Sequence, residues 1–345
     1  MKILVRAPNW IGDAVMATPT LSALRAHFPS AEITLLARPP IAALFEAHPD
    51  VDRRRVYERP GQHDGLGGLF RLIGALRAER FDLAFLLQNA FEAALIAAAA
   101  GIPQRVGYAA DGRGLLLTRS LNRTAGHQRD AYLRLMRLVG GNDAPAEPPH
   151  LVVTADERQQ ARHRLASHGI SEADCCVGVN PGAAYGSAKQ WSPARFAAVA
   201  DQWVEQDGAR ILIFGGAADR EVAEAVGRKM THPQICLAGQ TTIREMMSLL
   251  SHCRLLITND SGPMHVASAL GVPVVAVFGP TDPAATSPAG AMHRIVHVPV
   301  ACAPCTHRVC PIDHRCMEGV SVLAVLDAAR EMLDIAHSAR PMPAR

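Results

Sequence analysis

The segment LLITNDSGPMHVASALGVPVVAVFGPTDP, residues 255–283, carries the pattern from which the fold can be predicted. It contains two short apolar runs, LLIT and VPVVAVF, and runs of this kind form buried strands. Between them the turn NDSG leads into Pro263, and proline is favoured at the first position of a helix that Asn, Asp or Ser caps. The segment therefore predicts a strand, a helix and a second strand in succession.

The same alternation runs through the rest of the chain. KILVRA, EITLLAR and FDLAFLLQ in the first half, and CCVGVN and ARILIFGG in the second, are predicted strands separated by helical patterns. Such alternation indicates open, mostly parallel α/β sheets. The stretch GGNDAPAEPPH between the halves has the composition of a linker. We predict two doubly wound α/β domains facing a central cleft: residues 1–150, residues 151–335 with a C-terminal helix, and a tail over 336–345.

Composition and charge narrow the class of protein. Of the 345 residues, 49% are hydrophobic and 19% charged, which is typical of a soluble globular protein. A net charge of +3 is too small to indicate nucleic acid as a partner, although the first 150 residues are mildly basic. The start MKILVRAPNW lacks the apolar core of a signal peptide, and AALIAAAAGI is about half the length of a membrane span. We expect a cytoplasmic protein.

The second half contains a glycine-bearing loop after a predicted strand, VGVNPGAAYGSAKQW. Gly182 and Gly186 would let the backbone approach a ligand, and the loop ends with Lys189. Lysine is rare in this chain, where only Lys2 and Lys229 accompany it. Its compact ammonium suits a phosphate oxygen. An ordinary solvated lysine in a loop is the alternative.

The turn at residues 260–262 is a second candidate for anion binding. A helix N-terminus offers free N–H groups and a favourable dipole, and open α/β sheets bind ligands at the carboxyl edge of their strands. Asp260, Ser261 and Gly262 form this turn, and His265 follows in the first turn of the helix. His265 could instead be a packed core residue. The second domain is therefore the predicted nucleotide site.

The loop after the first strand, RAPNWIGDAVMATP, has a carboxylate where a phosphate would have to bind. Asp13 follows its glycine and precedes a predicted helix. A carboxylate there would repel a diphosphate but could accept a proton from a hydroxyl. We predict that Asp13 is a general base aimed at an acceptor. A plain helix N-cap is the alternative.

Three motifs in series, GDAVMATP, NPGAAYGSAKQW and TNDSGPMHVASALGVPVVAVFGPTDP, resemble those of the ADP-heptose:lipopolysaccharide heptosyltransferases. The resemblance covers about residues 1–335 and is strongest to the second of the inner-core enzymes, with the first as the alternative. It implies an inverting, metal-independent glycosyltransferase of the GT-B type, which needs no cofactor and uses ADP-heptose as donor. The implied acceptor is the heptosyl-Kdo-lipid A inner core of lipopolysaccharide, reached from the cytoplasmic face of the inner membrane by peripheral contact.

The resemblance also implies roles for individual residues. The catalytic base is Asp13, the phosphate-binding lysine is Lys189, and His265 lies close behind the turn that holds diphosphate and sugar. The remaining implied donor-binding residues are Asp260, Ser261 and Gly262 in that turn, Asp219 or Glu221 for the ribose, and Thr241 and Thr242 for the adenine. On the acceptor side, Arg105, Arg113 and Arg129 are candidates for acceptor phosphates or Kdo carboxylates, since the guanidinium fork suits both groups.

A cysteine-rich stretch, CAPCTHRVCPIDHRC, is not explained by this function. Its four thiols are Cys302, Cys305, Cys310 and Cys316. One C-x-x-C with further Cys and His nearby could hold a structural zinc. Reduced thiols, or a disulfide under oxidation, are the alternatives.

Three rival functions follow from the same pattern. An NAD-dependent oxidoreductase is disfavoured because no G-x-G-x-x-G follows the first strand. A two-domain sugar-nucleotide epimerase would rearrange its substrate without an acceptor. A zinc-organised binding module would catalyse nothing.

Overall fold

The computed structural model describes residues 1–143 and 147–338. The chain divides into two compact units, Met1–Val152 and a second that begins at Val153. Each unit contains a six-stranded sheet in which all neighbouring strands pair in parallel. In the described part of the chain, no helix combines the length and apolarity needed to span a bilayer.

The N-terminal unit is a sheet in the order β3-β2-β1-β4-β5-β6. Its strands are β1 (Lys2–Arg6), β2 (Glu32–Ala37), β3 (Arg53–Val56), β4 (Leu83–Leu86), β5 (Gln104–Tyr108) and β6 (Arg119–Leu121). Its helices are α1 (Ile11–Met16), α2 (Thr18–His27), α3 (Pro39–Leu44), α4 (Gly65–Glu79), α5 (Phe91–Ala99) and α6 (Gln128–Arg134), with 3-10 turns at Arg113–Leu116 and Leu135–Val139.

The C-terminal unit is a sheet in the order β12-β11-β10-β7-β8-β9. Its strands are β7 (Cys176–Asn180), β8 (Arg210–Ile213), β9 (Gln234–Cys236), β10 (Leu255–Asn259), β11 (Val274–Phe278) and β12 (His293–His297). Its helices are α7 (Ala155–Ser167), α8 (Pro193–Asp207), α9 (Arg220–Lys229), α10 (Ile243–Leu250), α11 (Gly262–Ala269), α12 (Pro283–Thr286), α13 (Arg315–Glu318) and α14 (Val322–Ser338), with 3-10 turns at Ser187–Lys189 and Ala217–Asp219.

The two sheets share one topology. In each, the first three strands run outward in one direction and the last three in the other, which is the doubly wound order predicted from the sequence. The direction reverses between β1 and β4 in the first sheet and between β7 and β10 in the second. Ligands of such sheets bind at the carboxyl ends of the strands at this reversal. The topology therefore selects the loops after β1 and β4, and those after β7 and β10.

Apolar packing fixes the C-terminal unit around its central strands. Trp191 is fully buried, its ring meets Phe196 edge-on with centroids 5.1 Å apart, and its indole N–H donates to the Val320 carbonyl over 3.1 Å. Helix α14 packs on α8 and on strands β10 to β12. This helix continues to Ser338, three residues past the predicted boundary at 335, and the rest of the predicted tail lies outside the described residues.

An ion pair joins α7 to α10 in the C-terminal unit. Arg244 donates to both carboxylate oxygens of Glu157, over 2.6 and 2.5 Å, and the Thr154 N–H donates to one of them over 2.8 Å. Burial alone would raise the pKa of Glu157, but the bonds from Arg244 and Thr154 outweigh it and hold the pKa below its ordinary value. The carboxylate is therefore stabilised in its charged form.

We expect Glu157→Gln to lower the free energy of unfolding by about 2 kcal/mol near neutral pH, because it removes charge-assisted hydrogen bonds. The folded pKa is the lower one, so this stabilisation is complete above the unfolded value of about 4.3 and disappears as pH falls through the folded value. Urea unfolding at neutral and acidic pH checks this, with the exposed Glu172→Gln as control. An equal stability gap at both pH values would contradict it.

Candidate donor and acceptor sites

The loop after β7 and the turn after β10 meet at the carboxyl edge of the C-terminal sheet, because these two strands are neighbours. The Asn259 amide donates to the Pro181 carbonyl over 2.7 Å, and its oxygen accepts from the Trp191 N–H over 3.0 Å. One side chain thus holds both ends of the glycine-bearing loop. The local sequence predicts the loop itself. The hydrogen bonds of Asn259 to the loop depend on β7 and β10 being neighbouring strands, which the local sequence does not show.

A buried ion pair lies where the loop and the turn meet. Lys189 Nζ is 2.6 Å from Asp260 Oδ2, and the two side chains are 14% and 7% exposed. Thr281 Oγ1 donates to the same carboxylate oxygen over 2.6 Å, and the Tyr185 ring lies 5.1 Å from the ammonium. Two residues that the sequence predicts separately are therefore direct partners. The pair holds an ammonium in place at the edge where a diphosphate would bind.

Hydrogen bonds between polar side chains hold the turn that precedes α11. The Asn180 amide donates to Thr258 Oγ1 over 3.2 Å and to Ser261 Oγ over 3.1 Å. Sequence analysis missed Asn180 and Thr258, although both stand at the ends of buried strands, where a polar residue is itself a signal of a site. The network fixes the orientation of Ser261, the residue that precedes α11.

The N-terminus of α11 has the features expected of an anion site. Ser261 is its N-cap residue and makes no side-chain cap bond to the helix, Gly262 is its first residue, and Pro263 follows. His265 lies within the first turn and is 5% exposed. The backbone N–H groups of this turn can bind an anion, and a direct contact between His265 and the donor stays a prediction.

Gly186 is required by a close approach of two loops. Its φ is +152°, and a Cβ atom there would lie 2.2 Å from the Arg308 carbonyl oxygen. The same carbonyl accepts from the Ala188 N–H over 3.0 Å. The glycine thus lets the segment around residue 308 support the loop that carries Lys189.

We expect Gly186→Ala to weaken donor binding about tenfold and to destabilise the protein by about 2 kcal/mol, because both the backbone angle and the contact with Arg308 become strained. Calorimetric titration with ADP and thermal unfolding measure the two effects. Gly169→Ala is a suitable control, since Gly169 has a positive φ of 71° but no neighbour within 4 Å of its added methyl group. Equal loss of ADP affinity in both variants would contradict the expectation.

The cysteine-rich stretch supports the Lys189 loop. Besides the Arg308 contact, the Tyr185 hydroxyl donates to the Thr306 carbonyl over 2.7 Å, and His314 Nε2 lies 2.7 Å from the Ala188 carbonyl. The four thiols of this stretch and its two histidines, His307 and His314, line a cavity of about 260 Å³ that Ala188 also borders. A larger cavity, of about 400 Å³, lies elsewhere, between α7 and His252.

The zinc hypothesis for Cys302, Cys305, Cys310 and Cys316 is not supported. Among the described residues, no three Cys or His ligand atoms of this stretch lie within 4.8 Å of one another, whereas a tetrahedral site brings its ligands closer. All four thiols are free. Only His48, Asp50 and His150, in the N-terminal unit, meet that distance within residues 1–143 and 147–338. Even there, Asp50 accepts from Ser22 Oγ over 2.7 Å, so this carboxylate already has a protein partner.

The predicted ribose and adenine residues have different surroundings. Asp219 packs against Gly182 of the Lys189 loop, where a Cβ atom would lie 2.3 Å from its carboxyl carbon, and accepts from the Gly216 N–H over 2.9 Å. Glu221 is exposed in the first turn of α9. Thr242 is the N-cap of α10, with a reciprocal bond to Glu245, and Thr241 precedes it half-buried. Asp219 is therefore nearest to the Lys189 loop, and the roles of all four stay predictions.

Asp13 lies where the loop after β1 leads into α1. Because the strand order of the first sheet reverses between β1 and β4, this loop is at the position where such sheets bind ligands. Asp13 is the third residue of α1, whose N-cap is Trp10, so the N-cap alternative does not describe it. It is half-buried and close to Tyr132 of α6. Burial raises the pKa of Tyr132, and the negative charge of Asp13 raises it further, so the phenol keeps its proton at neutral pH.

The three candidate arginines of the acceptor side are bonded within their own unit. Arg113 is fully buried and donates to the Tyr108 carbonyl over 2.7 Å and to Asn89 Oδ1 over 3.0 Å, and burial lowers its pKa to about 10. Arg105 donates to the Leu116 carbonyl over 2.6 Å. Arg129 pairs with its neighbour Asp130 over 2.7 Å. This geometry favours a structural role for Arg113 and Arg105, and acceptor binding by any of the three stays a prediction.

A buried arginine at the end of β1 was missed by sequence analysis. Arg6 is 3% exposed, and its guanidinium donates to the Ala7 carbonyl over 2.6 Å and to Asn9 Oδ1 over 2.8 Å. Burial lowers its pKa to about 10. The side chain thus orders the loop that leads to Asp13. An arginine that directly follows a buried apolar strand was the available signal.

Two doubly wound sheets in one chain are the GT-B architecture of glycosyltransferases. The model of glycosyltransferase family 9 (heptosyltransferase) matches residues 69–315, and the chain belongs to this family. It is 32% identical to lipopolysaccharide heptosyltransferase 2 of Escherichia coli K12 over 313 residues, which are 86% of this chain and 88% of that one. Its identity to lipooligosaccharide heptosyltransferase 2 of Haemophilus ducreyi is 33% over 314 residues, 84% and 86% of the two chains.

Solved structures give the same result. The glycosyltransferase family 9 protein of Veillonella parvula superposes with a TM-score of 0.86 at 26% identity, covering 97% of each chain. The ADP-heptose lipopolysaccharide heptosyltransferase II of Escherichia coli superposes with a TM-score of 0.83 at 28% identity, covering 98% of this chain and 100% of that one. The resemblance stated from sequence motifs is thereby confirmed.

Proposed function

We propose that this protein transfers L-glycero-D-manno-heptose from ADP-heptose to the heptosyl-Kdo-lipid A inner core of lipopolysaccharide. The transfer inverts the anomeric centre, requires no metal, and takes place at the cytoplasmic face of the inner membrane through peripheral contact. Family membership and the names of the relatives support heptosyl transfer. The carboxylate of the N-terminal unit and the ammonium of the C-terminal unit support acceptor activation by the first unit and donor binding by the second.

The observation that carries the proposal is the buried Lys189–Asp260 pair beside the N-terminus of α11. As the donor bond breaks, negative charge grows on the departing ADP. The Lys189 ammonium and the backbone N–H groups of α11 can stabilise that charge, because they are already oriented before the reaction. Asp260 keeps the ammonium in place, and Thr281 keeps Asp260 in place. In this role Lys189 does what a metal ion does in other transferases.

In the N-terminal unit, we assign the general base to Asp13. Its carboxylate would take the proton of the acceptor hydroxyl as that oxygen attacks the anomeric carbon. Attack on the face opposite the leaving group gives inversion. Arg6 contributes by ordering the loop through Asn9. The carboxylate's position on α1 and the protonated phenol of Tyr132 beside it support this assignment.

The test is incubation of purified protein with ADP-heptose and either heptosyl-Kdo-lipid A or Kdo-lipid A. We expect product and ADP only with the heptosyl acceptor, with unchanged rate in the presence of EDTA and an inverted anomeric configuration by NMR. Product with Kdo-lipid A alone would reassign the protein to the first transfer. Rearrangement of ADP-heptose without any acceptor would indicate an epimerase instead.

A further inference from the structure

Helices α4 and α5 expose large apolar side chains at helical spacing. On α4 these are Leu66 and Phe70, which are 74% and 68% exposed, and on α5 they are Phe91 and Leu95, 46% and 36% exposed. Residues four apart lie on the same face of a helix, so each helix presents one apolar pair outward. Single exposed apolar residues are common, but two paired rows on the surface of one unit are not.

These rows lie on elements that pack against one another. Helices α4 and α5 pack against each other, and α5 also packs against the 3-10 turn at Arg113–Leu116. That turn carries Leu115, which is 97% exposed. We call Leu66, Phe70, Phe91, Leu95 and Leu115 the apolar face. Its residues are all in the N-terminal unit, to which the proposed function assigns the acceptor.

The charges on these helices indicate what the apolar face contacts. Arg71 and Arg77 are exposed on α4, whereas both carboxylates of the two helices are partly buried and paired, Glu79 with Arg55 and Glu92 with Arg59. The described residues of α4 and α5 therefore expose positive charge and no free carboxylate. Apolar side chains interspersed with arginine fit the interface of a bilayer with anionic headgroups.

We propose that the apolar face docks this protein on an anionic lipid bilayer, with the aromatic and leucine side chains inserted among the headgroups and Arg71 and Arg77 facing phosphate. The choice of lipid over a protein partner rests on the proposed function, whose acceptor is itself anchored in a membrane. Docking through α4 and α5 would bring the N-terminal unit, to which the proposed function assigns the acceptor, to the membrane in which that acceptor is anchored.

The test is cosedimentation of the full chain with vesicles of phosphatidylethanolamine and phosphatidylglycerol, compared with vesicles of phosphatidylcholine. We expect binding to the anionic vesicles that weakens with salt. Phe70→Ser and Leu115→Ser should each reduce the partition coefficient between vesicles and water about tenfold, since each removes one apolar side chain that would insert into the bilayer. Arg71→Gln should reduce it about fivefold. Leu323→Ser, a change at a 63% exposed leucine of the C-terminal unit, is the matched control and should bind like the wild type.

Two outcomes overturn this inference. Equal binding by Phe70→Ser and the wild type would show that the apolar face does not touch lipid. Concentration-dependent self-association that Phe70→Ser abolishes, without vesicle binding by the wild type, would make the face an interface between copies of this chain.

A second readout separates this inference from the proposed function. Phe70→Ser should keep the wild-type rate of transfer to a water-soluble inner-core acceptor stripped of its acyl chains, and lose rate only on vesicle-embedded acceptor. Wild-type protein that binds vesicles but transfers to neither acceptor would reject the proposed function and leave the docking surface standing.

Discussion

Asp13→Asn is expected to lower kcat of heptosyl transfer about a thousandfold while leaving ADP affinity unchanged. The amide has the shape of the carboxylate but cannot accept the acceptor's proton, and general-base catalysis contributes about 10² to 10⁴ in rate. Donor affinity should not change, because the proposed donor-binding residues belong to the other unit. The measurement is steady-state transfer combined with calorimetric titration of ADP.

A matched control variant shows whether the loss of kcat is specific to position 13. Asp111 is an exposed carboxylate of the same unit with a φ of 50°, a conformation that asparagine tolerates, so Asp111→Asn should transfer at the wild-type rate. The carboxylate at residue 13 lies in the first turn of the short helix α1, where its interaction with the helix dipole is worth about 0.5 kcal/mol. Thermal unfolding of Asp13→Asn, measured beside kcat, separates a loss of catalysis from a loss of stability. Unchanged kcat in Asp13→Asn would reject the general-base assignment.

Much of the fold could be predicted from the sequence, because most strands are apolar runs that alternate with helical periods. The edge strands β3 and β12 could not. Strand β3 is formed by Arg53–Val56, and three consecutive arginines give no apolar signal. At a sheet edge such charge is favourable, since it discourages pairing with a second chain. Arg53 and Arg54 also pair with Glu32 and Glu46, contacts that only the folded chain creates.

In the candidate site, too, local sequence patterns predict single residues, whereas contacts between distant parts of the chain could not be predicted. Lys189 and Asp260 were predicted from the loops that carry them, because glycine spacing and helix capping are local patterns. Their ion pair depends on β7 and β10 being neighbours, which the order of elements along the chain does not reveal. Arg113 illustrates the converse. Its guanidinium was predicted to meet acceptor phosphates or carboxylates, yet it is fully buried under four carbonyl or amide oxygens.

Lys189→Ala is expected to weaken ADP binding at least a hundredfold. The variant loses the ammonium, and it also leaves the carboxylate of Asp260, 7% exposed, without its counter-ion at the edge that we propose binds the diphosphate. Removal of one partner of a buried pair costs about 3–5 kcal/mol, so thermal unfolding should also shift to lower temperature. Lys229→Ala, at an exposed lysine of α9, is the control and should change neither property.

The double variant Lys189→Ala/Asp260→Asn separates the two contributions. With the carboxylate neutralised, the buried charge and its repulsion of phosphate are both gone, and Thr281 can still bond to the amide oxygen. We therefore expect thermal stability to recover while ADP binding stays at least tenfold weaker than in the wild type, since no cation remains to meet the diphosphate. Recovery of full ADP affinity would mean that Lys189 serves only as the counter-ion of Asp260. The charge on the departing ADP would then have to be stabilised by the α11 backbone alone.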